Sequence, residues 1–384
     1  MEEALSRIER LAEESDELGR QDIMASLHKL AYSLERPENT RDRYGFLQLQ
    51  TAIIKVDFDL GLFKKLTKSA RALSVDEIAQ ETGAQRELMV RILRHLSAFN
   101  AVDEVRKETY IANQVTKNLA QTSTEAGICH WFGTASPQFQ NIPVLLQKNG
   151  YTNPVDETHT AFHEAWDTSL SPFAWFENQP LLLNYFNQYM ATRTRTEQSW
   201  LQFYPVLEEV ADCPPTRPVY VNIGGGVGHQ CAQFKAMYTE LPGRVILQDL
   251  PHSIAQALPT PGVENMIHDF FEPQPIKGAK IYYLRAVLHD HPSHKVSQII
   301  RHIRDVMAPD SRLLVDEMIL PETRVNAVAS SVDMSMLAAF ASMERTEAQW
   351  RGTFHREGLD LVKTYMYNPL TYEGVLDVRL SPGV

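Results

Sequence analysis

A β-branched run, a glycine-rich turn and a helix follow one another in the second half of the chain, and together they constrain the fold most. Residues 219–223 (VYVNI) predict a buried strand, residues 224–228 (GGGVG) a tight turn and residues 229–238 a helix. Glycine suits such a turn because the backbone takes positive φ and lets a ligand approach the bare main chain. The next predicted strand, 244–248, ends at Asp249, whose carboxylate is placed to accept hydrogen bonds from two ribose hydroxyls. The pattern predicts a nucleoside-binding unit, with a ligand-free strand-to-helix connection as the simpler alternative.

Further elements extend this unit into an α/β fold. Strands are predicted at 280–284 and 312–315, with a helix over 293–307 between them. The alternation indicates a doubly wound, mostly parallel sheet with helices on both faces and ligands at the carboxyl ends of its strands. The predicted strand ends carry Asn222, Asp249, residues 268–270, residues 285–290 and the pair 316–317.

The N-terminal region has a different character. Helical periodicity runs over residues 2–35 and 47–66, and the second segment is apolar on nearly all sides, which favours burial in a homodimer interface. Residues 74–83 and 87–99 predict two helices, and residues 102–105 and 110–111 predict the strands of a wing. A winged helix can read DNA through Arg86, Arg91 and Arg94, as in a ligand-sensing regulator, or it can serve as a packing scaffold. The acidic chain favours the scaffold.

Composition excludes several classes of protein. The 384 residues have a formal net charge of −11, which argues against general affinity for nucleic acid phosphates. No apolar run reaches the roughly 18 residues that a membrane span needs, so we expect no membrane association. The three cysteines include no C-x-x-C pair, which favours a reducing, cytoplasmic location and indicates no thiolate zinc site.

Six ordered motifs resemble those of the fungal and plant O-methyltransferases that use S-adenosylmethionine (SAM). They are NIGGGVGH (222–229), LQDLPH (247–252), HDFFEPQP (268–275), YYLRAVLHD (282–290), DEMILP (316–321) and MERTE (343–347). The resemblance implies a Rossmann-like SAM-binding sheet preceded by a helical and winged-helix dimerisation domain. It places that domain at 1–123 and the catalytic domain at 124–384, with a helical pocket segment at 124–215 and the α/β core at 216–384. It also implies methyl transfer to a phenolic or enolic hydroxyl of a natural-product intermediate.

Carried over position by position, the resemblance implies roles for individual residues. His289 falls on the catalytic base, and Glu317 and Glu344 fall on the two carboxylates that flank it. The implied cofactor contacts are Gly224, Gly225, Gly226, Asp249, Leu250, Asp269, Phe270 and Arg285. An aromatic-rich segment over residues 131–204 is expected to supply a pocket for a planar, apolar small molecule. The expected pocket residues are His130, Phe132, Met190, Arg193, Asp290 and Met336.

The residue types suit this chemistry on general grounds. A phenol has a pKa near 10, so it must lose its proton as it attacks the methyl group, and an imidazole with a pKa near 6.5 is a suitable acceptor. A carboxylate beside the imidazole fixes its tautomer and stabilises the imidazolium that forms. A metal site at His289, His291 and His294 is not expected, because Pro292 interrupts any helical spacing of these side chains.

Two positions depart from the family pattern. Asn222 stands where the family usually has an acidic residue, and His291 stands where it usually has tryptophan. Either change is compatible with a cofactor that is bound and not consumed, as in relatives of this fold that catalyse dehydration or pericyclic reactions. In that alternative, His289, His130 and either Arg193 or Arg195 act as hydrogen-bond donors or as acid–base groups.

Overall fold

The computed structural model describes residues 1–193 and 199–383, and these form two compact units. The first comprises residues 1–134 and the helix Pro180–Arg193. The second comprises residues 135–179 and the described residues from 199 onward. The segment 124–215, which the sequence groups with the catalytic domain, therefore contributes to both units. Among the described helices, none combines the length and the apolar character that a bilayer crossing requires.

The first unit is mainly helical and contains a small antiparallel sheet. Its strands are β1 (Leu73–Ser74), β2 (Asp103–Arg106) and β3 (Thr109–Ile111), in the order β1-β3-β2. Its helices before the wing are Glu2–Glu14, Glu17–Ser33, Pro37–Gly45, Leu47–Leu60, Leu62–Lys68, Val75–Thr82 and Arg86–Ala98. Those after the wing are Gln114–Leu119, Thr122–His130 and Pro180–Arg193, with a π-helical turn at Trp131–Ala135.

Local signals set the helix ends of the winged helix as expected. The Ser74 hydroxyl accepts the Glu77 N–H at 3.3 Å, and the Glu77 carboxylate accepts the Ser74 N–H at 2.8 Å, which is a capping box. Gly83 ends this helix with φ of +72°. Arg86, one of the arginines considered for DNA reading, is tied to Asp76 at 2.7 Å and to Glu108 at 2.6 Å. Those ion pairs favour the packing scaffold over the DNA-reading alternative.

Two long helices expected in the N-terminal region are each broken in two. The segment 2–35 breaks at Asp16, whose side chain accepts the Gly19 N–H at 2.8 Å and so starts a new helix. The segment 47–66 breaks at Gly61, which adopts φ of +65°. Helical periodicity alone does not detect a cap or a left-handed residue inside an apolar run.

The second unit is built on a mixed sheet with the strand order β10-β11-β8-β7-β4-β5-β6. Its strands are β4 (Pro218–Ile223), β5 (Arg244–Asp249), β6 (Val263–Ile267), β7 (Ile281–Arg285), β8 (Arg312–Leu320), β9 (Arg345–Thr346), β10 (Leu359–Asn368) and β11 (Glu373–Leu380). Strands β4 to β8 pair in parallel, and the short β9 pairs with the end of β8. The sequence did not predict β10 and β11, which add an antiparallel edge to the sheet.

Helices cover both faces of this sheet. On β7, Tyr282 and Leu284 pack into one buried cluster together with the helix Ser293–Arg304, while Ile281 and Tyr283 pack into another. This alternation confirms the doubly wound, Rossmann-like fold. The α-helices of this unit are Ser136–Lys148, Ala161–Trp166, Pro172–Phe176, Val206–Glu209, His229–Met237, Pro251–Ile254, Ser293–Arg304, Ala327–Phe340 and Glu347–Arg356, and single 3₁₀ turns lie at Trp200–Gln202 and Leu288–Asp290.

One predicted strand end is wrong. The expected strand 312–315 continues to Leu320, so Asp316 and Glu317 lie inside β8 and not at its end. The antiparallel partner β11 extends the hydrogen-bond ladder, with Gly374 opposite Glu317. The parallel neighbour β7 stops at Arg285, opposite Asp316. Glu317 therefore lies beside the chain that leaves β7.

Candidate active site

The glycine turn and Asp249 lie together at the carboxyl edge of the sheet. Gly224 and Gly226 have φ values of +64° and +59°, in the left-handed region that favours glycine. The Gly226 N–H donates to Oδ2 of Asp249 at 2.8 Å, and the Gly225 N–H donates to the Gln248 carbonyl at 3.1 Å. These bonds fix the turn against the end of β5.

The surroundings of the turn fit a nucleoside that carries a polar tail. A Cβ on Gly224 would lie 3.4 Å from the Phe270 ring, whereas a Cβ on Gly226 would meet no atom within 4 Å. The other Asp249 oxygen accepts the Leu250 N–H at 2.7 Å, and each carboxylate oxygen keeps capacity for a second hydrogen bond. Asp249 is thus able to accept two ribose hydroxyls, with Phe270 as an aromatic wall beside the turn.

Asn222 adds a buried polar group beneath the turn. Its side chain is 1% exposed, its Nδ2 has no nitrogen or oxygen partner among the described residues, and the Cys231 thiol lies beside it. A Cβ on Gly225 would lie only 2.4 Å from this nitrogen. A thiol is only a weak hydrogen-bond partner, so the buried amide next to the turn keeps the capacity to donate to a polar ligand group there.

The other two expected cofactor contacts differ in their placement. Asp269 accepts the Phe271 N–H at 2.9 Å and so shapes the loop that presents Phe270. The Arg285 guanidinium lies 3.7 Å from Asp316, 3.6 Å from Glu373 and 5.9 Å from the centre of the Tyr367 ring, so its described contacts run to β8, β11 and β10. A cofactor role of Arg285 therefore stays a prediction.

A strained turn after β7 carries His289 into the site. Ala286 adopts φ of +50°, a conformation that non-glycine residues rarely take and that is common where a site fixes the backbone. The following two N–H groups, of Val287 and Leu288, donate to Oε1 of Glu317 at 3.2 and 2.8 Å. Glu317 thereby anchors the backbone segment from which His289 projects.

His289 is bonded to a buried carboxylate. Its Nδ1 lies 2.8 Å from Oε1 of Glu344, whose side chain is 1% exposed. Its Nε2 lies 3.5 Å from Oδ1 of Asp290. The Ser342 hydroxyl donates to the His289 backbone carbonyl and, at 2.8 Å, to the His291 carbonyl. The imidazole is therefore held in place through both its ring and its backbone.

Three carboxylates set the protonation of this cluster. Burial disfavours the imidazolium, but Asp290, Glu344 and Glu317 outweigh it and raise the pKa of His289 to about 10. Burial also raises the pKa of Glu317, to about 7, against the lowering effect of His289. The three carboxylates therefore favour the imidazolium form of His289 and stabilise its positive charge.

His289, Glu317 and Glu344 also form a group with metal-ligating chemistry. One ligand atom of each lies within 4.8 Å of the others. Nδ1 of His289 is already bonded to Glu344, and Oε1 of Glu317 already accepts two N–H groups. These bonds orient the imidazole and occupy one ligand atom each of His289 and Glu317, and the expectation of no metal stays a prediction.

The expected pocket residues fall in both units. In the first unit, His130 packs against Phe186 at 5.3 Å and Tyr189 at 5.8 Å between ring centroids, and burial lowers its pKa to about 4. The other expected residues of that unit, Phe132 and Met190, are half-buried. In the second unit, Asp290 lies beside His289, and Met336 is half-buried on the helix Ala327–Phe340. The Arg193 side chain and Arg195 lie outside the described residues.

Sequence reasoning missed the carboxylate of Asp333 and placed Asp316 at a strand end without giving it a role. Asp333 accepts the Glu344 N–H at 2.8 Å and so fixes the carboxylate that contacts His289. Asp316 is buried and accepts the hydroxyls of Tyr283 at 2.5 Å and Tyr367 at 2.7 Å. Asp333 gives no signal within a helical pattern, whereas Asp316 belongs to the motif DEMILP and was expected at a strand end.

A doubly wound sheet, a glycine turn paired with an acidic strand end, and an oriented histidine on the same edge define an enzyme of the class I methyltransferase type. The chain matches the O-methyltransferase domain family over residues 152–360 and the O-methyltransferase dimerisation domain family over residues 46–122. It therefore belongs to the SAM-dependent O-methyltransferase family, as the motifs predicted.

Individual relatives span nearly the whole chain. The chain is 36% identical over 377 residues to O-methyltransferase ucdC of Aspergillus ustus, covering 98% of each protein. It is 33% identical to demethylsterigmatocystin 6-O-methyltransferase of Aspergillus parasiticus, over 96% of this chain and 95% of that one. Two solved structures, "A Pericyclic Reaction enzyme" and "The structure of LepI complex with SAM", each match with a TM-score of 0.86 and 34% identity over 98% of both chains. The family and its cofactor are thus confirmed.

Proposed function

We propose that this protein transfers the methyl group of SAM to a phenolic or enolic hydroxyl of a natural-product intermediate, with His289 as the general base. The observation that carries the proposal is the 2.8 Å contact between His289 Nδ1 and the buried carboxylate of Glu344. Similarity to O-methyltransferases, among them one named for demethylsterigmatocystin, supports the substrate class.

Each residue of the cluster around His289 has a separate role in the proposed reaction. The SAM sulfonium, when bound, supplies an electrophilic methyl group. Glu344 holds the N–H on Nδ1 of His289, which leaves Nε2 to take the hydroxyl proton as the oxygen forms its new bond to carbon. The positive charge that His289 gains is stabilised by Glu344, Glu317 and Asp290. Glu317 keeps the segment from residue 287 to residue 289 in place through its two backbone hydrogen bonds.

The cofactor would be held by residues at the carboxyl edge of the sheet. Asp249 would accept the ribose hydroxyls, and Phe270 would cover one side of the adenine. The glycine turn leaves room for the amino-acid tail, near the Asn222 amide. Leu250 and Asp269 act by shaping the loops that present these groups.

Substitution of the base tests the proposal. His289→Gln removes the base but keeps a polar side chain of similar size, so we expect turnover to fall by about 10²–10⁴-fold. Binding of S-adenosylhomocysteine, measured by calorimetry, should stay within about twofold of the parent, because His289 is not a cofactor contact here. Near-parental turnover of His289→Gln would exclude His289 as the base.

A second candidate function is a dehydration or pericyclic reaction in which SAM is bound and not consumed. The 34% identity to the structure titled "A Pericyclic Reaction enzyme" favours keeping this candidate. His130 would then act as a neutral imidazole that donates or accepts a hydrogen bond, since burial lowers its pKa to about 4. The retained His289–Glu344 pair favours methyl transfer, because it falls on the catalytic base and the carboxylate beside it in the methyltransferase motifs.

We also propose that the protein is a homodimer, assembled through its dimerisation domain at residues 46–122. Large apolar side chains stay exposed near its start, among them Phe46, Leu47, Leu49 and Val56. Such a patch on an isolated chain is typical of an interface. Sedimentation at micromolar concentration should give twice the mass of one chain, and a single-chain mass would exclude the dimer.

A further inference from the structure

A cavity of about 290 Å³ in the second unit has no part in the proposed mechanism. It lies between the start of the helix Ser293–Arg304 and one face of the helix Glu347–Arg356. Its polar lining comes from Arg345, Arg356, Ser293, Gln349 and Thr353. No carboxylate is among the described residues that line it, although the chain as a whole is acidic.

Arg345 is a buried cation whose partners are neutral. It is 2% exposed, and its guanidinium donates to the Met343 carbonyl at 3.1 Å, the His291 carbonyl at 3.4 Å and the Ser293 hydroxyl at 3.5 Å. It also lies over the Trp350 ring at 5.0 Å. A charge with this degree of burial is ordinarily paired with an opposite charge.

No described carboxylate lies within 4.0 Å of the Arg345 guanidinium. The side chains of Glu344, Glu317 and Asp333 act on it only from a longer distance. Glu344 and Glu317 are engaged by His289 and by backbone N–H groups respectively. Arg345 therefore lines the cavity with a positive charge that no described carboxylate within ion-pair distance neutralises.

Two further features make the cavity electropositive. Arg356 donates to the Thr353 hydroxyl at 3.2 Å and likewise has no described carboxylate within 4.0 Å. The helix Ser293–Arg304 starts after Pro292 with no side-chain cap, so its free N–H groups and the positive end of its dipole lie at Ser293. Two guanidinium groups and an uncapped helix start thus surround the same space.

We propose that this cavity binds a tetrahedral oxyanion, a phosphate group that is either free or part of a small monoester. Arg345 and Arg356 would provide planar forks for two of its oxygens, and the start of the helix at Ser293 would provide N–H donors for a third. The hydroxyl of Thr353 and the amide of Gln349 lie on the remaining wall. The site is separate from the SAM edge of the sheet and does not depend on the methyl-transfer proposal.

Calorimetric titration of the full chain at constant ionic strength tests this proposal. The probes are inorganic phosphate and, in a second arm, glycerol phosphate, with chloride as the compensating anion. The test variant is Arg356→Gln, because its exposed side chain can be replaced without opening the core. The control is Arg351→Gln, which changes the net charge equally on the same helix but whose guanidinium already pairs with Glu347 at 2.7 Å.

We expect saturable binding of at least one probe at one site per chain, weakened roughly tenfold by Arg356→Gln and unchanged by Arg351→Gln, because one charge-assisted fork is lost. Arg345→Lys keeps the charge and loses the fork, so it should weaken binding as well. Binding of the ester alone or of inorganic phosphate alone supports the proposal and identifies the form of the phosphate. Absence of saturation for both probes, or equal weakening by Arg351→Gln and Arg356→Gln, would overturn it.

Discussion

Replacing Glu344 by glutamine should lower both the pKa of His289 and the rate of methyl transfer. The side chain keeps its size and can still accept from Nδ1, but it loses its charge. A hydrogen bond to a charged group contributes about 1.5–3 kcal/mol, and a neutral one about 0.5–1.5 kcal/mol. The difference of about 1–1.5 kcal/mol corresponds to about one pKa unit at 1.36 kcal/mol each. The pKa of His289, raised to about 10 in the native cluster, should therefore fall by about one unit.

The direction of the pH effect follows from the role of a base. A general base acts in its deprotonated form, so the rate rises with pH up to the pKa of His289. In Glu344→Gln the rising limb should move about one unit toward lower pH, while the plateau falls by about 10–100-fold because the imidazolium is less stabilised. The control is Glu347→Gln, an exposed side chain paired with Arg351 in the following helix, which should leave the profile unchanged.

Two assays separate the pKa from the rate. Initial rates of S-adenosylhomocysteine formation from about pH 6 to about pH 11 define the rising limb, and the fitted maximum rate gives the plateau. Titration of ring-labelled histidines by NMR gives the pKa of His289 directly, with His289→Gln identifying its signal. An unchanged pKa of His289 in Glu344→Gln would refute the idea that this carboxylate controls the base, whatever happens to the rate.

Three further substitutions test other parts of the structure. Asp249→Asn should weaken SAM binding by at least about tenfold in calorimetry, because a neutral amide replaces the charged carboxylate that accepts the ribose hydroxyls. Glu264→Gln on the neighbouring strand should leave SAM affinity unchanged. Equal SAM affinities of Asp249→Asn and the parent protein would exclude the ribose contact. Gly225→Ala should lower the free energy of unfolding in urea by about 1–3 kcal/mol, because its Cβ would lie 2.4 Å from the buried amide nitrogen of Asn222. An unchanged free energy of unfolding would show that the turn accommodates a Cβ at this position. Burial holds the pKa of the Asp57 carboxyl well above its usual value. Above about pH 4 this carboxyl ionises in the unfolded chain and stays protonated in the native one, so the free energy of unfolding falls as the pH rises. Asp57→Asn should remove this contribution, which is up to ~1.4 kcal/mol per pH unit. Asp59→Asn, with an exposed side chain on the same helix, should leave the decline in place, and a parallel decline in Asp57→Asn would contradict the assignment.

The sequence predicted the elements whose signals are local. The capping box at Ser74 and the strand–turn–helix unit around Gly224 each lie within a few consecutive residues, and the structure has both. The break at Gly61 and the continuation of β8 to Leu320 were missed for opposite reasons. A single left-handed residue ends a helix without changing its apolar pattern, and a strand is lengthened by a partner, β11, that comes much later in the chain.

The candidate site was predictable only in part, because it joins residues that are distant in the sequence. His289, Glu317 and Glu344 came from ordered motifs of a resemblance, and the structure brings their ligand atoms within 4.8 Å of one another. The supporting carboxylate Asp333 belongs to no motif, and its position becomes visible only when the helix Ala327–Phe340 packs beside the strand end. The placement of Arg345 and Arg356 at the same cavity likewise depends on tertiary packing.

We propose above that this protein methylates a hydroxyl with His289 as the base. The most direct test is mass spectrometry of the enzyme incubated with SAM and a pool of polyketide, alkaloid and simple phenolic acceptors, run in parallel with His289→Gln. We expect S-adenosylhomocysteine together with an acceptor heavier by one methylene, both strongly reduced in the variant. An acceptor that rearranges at unchanged mass or loses water, while SAM stays intact, would exclude methyl transfer and establish a reaction in which SAM is not consumed.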